Sequence, residues 1–241
     1  MANDYSSIQA IDFSLGVWLN DCFSQDNSKV HGTEAFKRLL AREPADKISR
    51  ASIFDVQAII KSLEGGSSRA VDSDVPLPDV KANSVALPII HYGRHPNIIV
   101  PESNAADEMR QIVELESGEK ADIYMRKISV PYQVFFIAND IPTLDFMQLA
   151  FLRFASNNRK FDTKYTIDGE SLDGITCTIE DTYNIAYEDA SVDRSERRLF
   201  AVSFPLLISA YSVSGAVVDV PDTIRWILEL DHCAPPFNTE S

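Results

Sequence analysis

The stretch Tyr132-Gln133-Val134-Phe135-Phe136-Ile137-Ala138, followed by Asn139-Asp140-Ile141-Pro142 and by a dense apolar segment from Leu144 to Ala155, decides how this chain is read. Apart from Gln133, both alternating sets of the first run are apolar, the pattern of a strand covered on two sides. The Asn-Asp-Ile-Pro break ends it, and Thr143 reads as the cap of a following helix, with Asp145 in the first turn where the helix dipole favours an acid. Leu144, Met147, Phe151, Phe154 and Ala155 form one stripe of that helix. Phe146, Leu149, Ala150 and Leu152 populate much of the rest, so a single sheet cannot cover it and a second packing partner is expected.

Downstream of a polar gap, two alternating runs flank a charged tip. In Ile175 to Glu188, residues Ile175, Cys177, Ile179, Tyr183, Ile185 and Tyr187 share one face, with Asp181 breaking the pattern and marking a bulge or an interface contact. In Leu199 to Val213, residues Val202, Phe204, Leu206, Ile208 and Ala210 point inward. Together these read as a long hairpin projecting beyond its sheet. Its tip, Glu188 to Arg198, interleaves Asp189, Asp193 and Glu196 with Arg194, Arg197 and Arg198. Those six residues are candidates for one side of a protein interface that uses charge for register, or else a solvated loop. Phe146 and Leu149 are the apolar interface candidates.

Upstream, Ser6 or Ser7 opens a helix with the stripe Ile8, Ile11, Leu15, Trp18, Leu19 and Cys22. A second helix is expected over Thr33 to Arg42, with Phe36, Leu39 and Leu40 inward, and a third after the Ser52-Ile53-Phe54-Asp55 start signal, with Ile53, Val56, Ile59, Ile60 and Leu63 inward. Residues 65 to 84 are rich in Gly, Ser, Pro and Asp and read as a linker or mobile loop. Val85 to Gly93 reads as a strand whose proline suggests a sheet edge. Between Ala105 and Val130 the signals are mixed: Met109, Ile112, Val113 and Leu115 fit helix or strand, and Ile123, Met125, Ile128 and Val130 fit a strand only in part. After Gly215, a last strand or short helix around Trp226 and a tail over 231–241 complete a single α+β domain with a mixed or antiparallel sheet packed against helices.

Length and composition bound the function. At 241 residues the chain can bury about 70% of its unfolded surface in a core. The 36 acidic against 22 basic residues give a net charge of −14, which opposes nonspecific nucleic-acid binding and docking on anionic lipid. The three cysteines, Cys22, Cys177 and Cys233, form neither a metal spacing nor a disulfide framework, and the acid near the amino terminus does not suit a signal peptide, so a cytoplasmic site of synthesis is expected. The uncharged stretch Leu199 to Val218 has the length of a membrane span, but its serines, Pro205, Gly215 and alternation argue against one. His91 and His95 have a ligand spacing only on a helix, which Gly93 and Pro96 oppose. Adjacent acids Glu180-Asp181 and Glu188-Asp189 point to opposite faces of a strand. No serine lies in a G-x-S-x-G motif, and Gly65-Gly66-Ser67-Ser68 lacks the lysine of a phosphate loop. Neither catalytic residues nor cofactor or metal ligands are expected.

The Leu87-Pro88-Ile89-Ile90-His91-Tyr92-Gly93 strand, the Pro131-Tyr132-Gln133-Val134 start of the central block and the Ser195-Glu196-Arg197-Arg198-Leu199-Phe200 tip resemble the tail terminator proteins of contractile-tailed bacteriophages. The helical insert over about 33–64 and the loop after it depart from that pattern. The resemblance implies a structural virion subunit, assembled in the host cytoplasm, that forms a homohexameric ring on the last tail-tube ring. It would stop tube and sheath polymerisation and offer its other face to the head-completion or connector protein, with DNA passing through the bore unbound and no membrane involved. Another neck or tube-completion ring is the alternative within that class. From a different class, the alternative is a small soluble ligand-binding domain or enzyme without a recognisable motif.

Overall fold

A computed structural model describes residues 7–25, 32–64, 87–100, 108–115, 117–167, 170–181, 185–193 and 198–217. The fold is mixed α/β. Helices α1 (Ser7–Cys22), α2 (Glu34–Ala41), α3 (Pro44–Lys47), α4 (Val56–Glu64) and α5 (Ile141–Asn157) surround a curled, mixed sheet. Its main path runs β1 (Ile48–Arg50), β2 (Ile89–Arg94), β4 (Lys120–Ala138), β9 (Arg198–Val217), β6 (Glu170–Ile179) and β5 (Lys160–Ile167). The strands β3 (Glu108–Glu114), β7 (Glu188–Asp189) and β8 (Val192–Asp193) lie off that path, β3 against β4 and the other two against β9. Among the described residues only β1 and β2 pair in parallel.

The spine is the β4–β9 ribbon, paired in one unbroken antiparallel register from Ala121↔Val217 to Ala138↔Phe200. The strand expected to open at Tyr132 therefore begins twelve residues earlier, at Lys120, and Pro131 lies inside it. A proline there leaves a donor unmade. The Pro131 carbonyl accepts from His95 N–H at 2.9 Å, and Ser129 exchanges both bonds with Ile99, so the missing N–H faces the break between Arg94 and Ile99. Pro205 in β9 is placed likewise: its nitrogen faces the break between the β6 and β7 pairings, whose nearest ends are Leu207 and Ser203.

Two faces of this ribbon are buried in different places. Residues Ile128, Val130, Tyr132, Val134, Phe136 and Ala138, with Phe204, Leu206, Ile208 and Ala210, pack under α1, α2 and α5. On the opposite face, Phe135, Ile137, Leu199 and Ala201 meet Val56, Ile59 and Ile60 of α4. The central strand is thus covered on two sides, as its sequence requires. Towards the start of β4 the covered side switches. Ala121, Ile123 and Met125 pack with Tyr165, Ile167 and Leu172 of the β5–β6 hairpin, Tyr211 and Val213 join them, and the even-numbered face is left open. The apparent misfit of Ile123 and Met125 with Ile128 and Val130 is this change of covered face at Arg126-Lys127. No bulge is involved, because the register does not shift.

Other expectations need correction. The polar gap after α5 contains a strand, β5, and β6 pairs with it antiparallel from Ile167↔Glu170 to Lys160↔Thr178, with an irregularity between Thr163 and Tyr165, opposite which Gly174 takes a φ of +82°. The alternating run Ile175 to Glu188 is two strands, β6 and β7, interrupted at Asp181, whose φ of +50° supplies the break its polarity signalled. The cap residues are acids three positions from the expected ones: Asp140, and not Thr143, caps α5 by accepting from Thr143 N–H at 2.8 Å, and Asp55, and not Ser52, caps α4 by accepting from Ala58 N–H at 2.8 Å. In each case the carboxylate lies one turn ahead of a free N–H while the hydroxyl residue is used elsewhere or lies too early. The Thr143 hydroxyl shares a 2.6 Å hydrogen bond with Thr33, the cap of α2. Pro88 precedes β2 instead of interrupting it, and β1 pairs along that strand's outer side. From Glu108 onward the ambiguous segment is a β3–β4 hairpin turning at Gly118 (φ +84°). The loop at 65–84, Trp226, Cys233 and the tail fall outside the described residues.

Candidate interaction surfaces

Each expected interface residue has a definite environment or falls outside the described residues, as Arg194, Glu196 and Arg197 do. Asp189 accepts from Ser191 N–H at 2.9 Å, and hydrogen bonding from the Ser191 side chain and then its backbone holds the carboxyl below the ordinary carboxylate range. Asp193 lies 3.8 Å from Arg198, and the Arg198 guanidinium sits 5.6 Å from the Phe200 ring centre. These described tip residues are solvent-exposed and paired with one another.

The two apolar candidates separate. Phe146 is half-buried, its ring 6.0 Å from that of Phe36, so α2 supplies the second partner that α5 was expected to need. Trp18 of α1 closes another side, with ring distances of 5.9 Å to Phe151 and 5.3 Å to Phe154 and its indole N–H donated to the Asn158 carbonyl at 2.8 Å. Leu149 has no such cover. It is 55% exposed and shares one arc of α5 with Ile141 (52%) and Leu152 (38%). On α1, Phe13 and Val17 form a second exposed pair, one helical turn apart.

A third surface was not expected. On the open even-numbered face of the β3–β4–β9 corner, Arg110, Ile112, Asp122, Tyr124 and Ser214 stand together. The Arg110 fork grips Asp122 through Nε (3.0 and 3.1 Å) and Nη2 (2.5 Å), which holds the Asp122 carboxyl below its ordinary range. With Gly215, the residues Arg110, Asp122, Tyr124 and Ser214 line an open recess of about 320 Å³. Gly215 is required there because a Cβ would meet the Asp122 carbonyl oxygen at 2.6 Å. The recess was hidden in the sequence because β9, which supplies Ser214 and Gly215, pairs with β4 from far along the chain.

The interior polar groups are structural. Asp12, on α1, accepts from the Tyr132 hydroxyl at 2.6 Å, with Arg94 Nε 3.3 Å and Arg50 Nη1 3.9 Å away, while Tyr92 donates to the Asp12 carbonyl at 2.9 Å. Burial, followed by the Asp12 charge, pushes the Tyr132 phenol well above its ordinary value, so it stays a hydrogen-bond donor. The cluster locks α1 onto β2 and β4. On the opposite face of β2, His91 donates from Nε2 to the Ile53 carbonyl (3.1 Å) and accepts the Ser49 hydroxyl at Nδ1 (2.8 Å). Burial lowers its pKa to about 4, so the ring is neutral. His95 instead stacks on Phe54, with ring centres 4.5 Å apart. The two histidines therefore do not converge. Cys22 and Cys177 are buried thiols, each raised by burial, Cys177 within 3.0 Å of the Thr163 hydroxyl. Among the described residues no group of three His, Cys, Asp or Glu side chains gathers as a metal site, and no helix is long and apolar enough to cross a membrane.

No protein-family model matches this chain, and no curated protein is similar to it at a significant level.

Proposed function

We propose that this chain is a structural virion protein, a tail terminator of contractile-tailed bacteriophages, acting as a homohexameric ring that caps the tail tube. In this reading it ends tube and sheath polymerisation and joins the tail to the head connector. The observation that carries it is apolar surface left over in separate places once the core is complete. The α5 arc (Ile141, Leu149, Leu152) and the α1 pair (Phe13, Val17) lie outside a filled interior. A cyclic ring needs two different patches per subunit, since each contact joins unlike surfaces. The net charge of −14 suits a ring whose bore passes DNA without holding it, because like charge repels the duplex. The acid-arginine tip, from Asp189 to Arg198, suits a projecting element that sets register against tube, sheath or connector.

The test is assembly. Purified protein, alone and mixed with tail tubes, is imaged by negative-stain electron microscopy, beside a Leu149→Glu/Leu152→Glu variant. Both leucines are exposed, so the variant melts within a few degrees of the parent, roughly the shift expected for substitutions outside a core. Six-fold rings from the parent and none from the variant support the reading. A parent that never associates with itself or with tubes, and that melts higher with a small ligand, replaces it with the ligand-binding class.

A further inference from the structure

We propose that the outer edge of β3 is a self-pairing surface, through which two copies of the free protein join edge to edge in an antiparallel, two-fold arrangement. Among the described residues β3 pairs only with β4, which leaves its other edge open. The Leu115 N–H bonds the Glu119 carbonyl at 2.8 Å, so in this hairpin the odd residues of β3 direct their backbone groups at β4. Arg110, Ile112 and Glu114 therefore direct theirs outward. An exposed run of unpaired backbone donors and acceptors is a template for another strand, and β3 carries exposed Met109 (40%) and Ile112 (49%) where edge strands are usually blunted.

Charge selects the occupant and the register. Centred on Ile112, two antiparallel copies of β3 place Arg110 opposite Glu114 of the second copy, twice by symmetry, with Ile112 against Ile112 on the axis. Centring on Gln111 sets Arg110 against Ile112 and pairs no opposite charges. Centring on Arg110 brings two arginines face to face, which destabilises a cross-strand pair. Arg110 is prepared for this role: Nε and Nη2 are committed to Asp122 of its own chain, and Nη1 is the donor for the second copy's Glu114. The covered and open faces of the two sheets also coincide in this arrangement, because Arg110 and Ile112 stand on the open face in both copies. The contact is a single strand wide, so the pair is weak and dissociates on dilution. It is isologous and closes at two copies, and so does not rest on the six-fold reading.

A charge-swap experiment on the full chain decides it. Sedimentation velocity is run over a concentration series on the parent, on Arg110→Glu, on Glu114→Arg, and on an equimolar mixture of the two variants, with circular dichroism melts confirming that each is folded. Arg110→Glu replaces a surface ion pair with Asp122 by two neighbouring carboxylates on the solvent-facing side of the sheet, a loss small enough to leave the fold in place. The expected result is a concentration-dependent dimer for the parent and monomers for each variant alone, where like charges face each other across the strands. A dimer returns in the mixture, where the introduced carboxylate of one variant meets the introduced guanidinium of the other. A parent that stays monomeric throughout, or a dimer indifferent to both reversals, overturns the inference. A hexamer that survives both reversals also overturns it while favouring the ring. Dimers obeying the swap, with no rings in micrographs, uphold it and remove the ring.

Discussion

The two ends of the β4–β9 ribbon share one register and have opposite fates. From Val134 to Ala138 the ribbon is buried on both faces, by α1, α2 and α5 on one side and α4 on the other. From Ala121 to Met125 it is covered on one face only, by the β5–β6 hairpin, and the face carrying Asp122, Tyr124 and Ser214 is open. Backbone pairing is the same throughout, so pairing does not decide burial. What packs on each face does, and a twisted ribbon lets the covered side change without a bulge. The doubly covered end is the mechanical core, and the open end is where another molecule can be met.

The largest test of that contrast sets one aromatic from each end against the other. Phe136, fully buried with ring contacts to Phe23, Phe151 and Phe204, should lose about 4 kcal/mol on replacement by alanine, whereas Tyr124→Ala should change stability by less than about 0.5 kcal/mol. Chemical denaturation of both variants measures it, and comparable losses would mean that the open face is a core.

Next comes the α4 side of the covered end. His91 has a folded pKa of about 4 against an ordinary 6.5, so the unfolded chain takes up its proton first on acidification. The contribution of its neutral form is full above about pH 6.5 and falls as pH drops towards 4, by on the order of 3 kcal/mol. A His91→Gln variant should lack that part of the pH profile in denaturation curves, and an unchanged profile would assign the acid sensitivity to other groups.

On the helix side, Asp12→Asn should cost about 2 kcal/mol, because Arg50 and Arg94 lose their counter-charge while Tyr132 keeps an acceptor. The half-exposed arginines retain water, which keeps the loss below that of a fully buried pair. Thermal melts read it directly. A loss as large as that of Phe136→Ala would mean that the cluster, and not the aromatic packing, holds α1 in place.

Much of this architecture was legible along the chain. The stripe Ile11, Leu15, Trp18, Leu19, Cys22, the inward set Phe36 and Leu39, and the two apolar faces of Val134 to Ala138 are periodic signals that local geometry converts into burial. Strand β5 was missed because Lys160, Asp162, Lys164 and Thr166 make its sequence look polar, while the inward Thr163 hides one of its buried positions. The caps Asp140 and Asp55 were displaced by neighbouring hydroxyl residues, since two candidate caps within a few residues differ only in which side chain reaches an N–H. Of the expected interface residues, Leu149 is exposed and Phe146 is packed by α2, a difference set by a helix more than a hundred residues upstream.

By itself the sequence determined the class of the fold, the helical stripes and the doubly apolar strand, because these follow from periods of 3.6 and 2 acting over a few residues. Only the tertiary structure decided which strand pairs with which, where the covered face changes sides, and how Asp12, Arg50, Arg94 and Tyr132 converge. Those depend on contacts between residues far apart in the chain, for which local periodicity carries no signal.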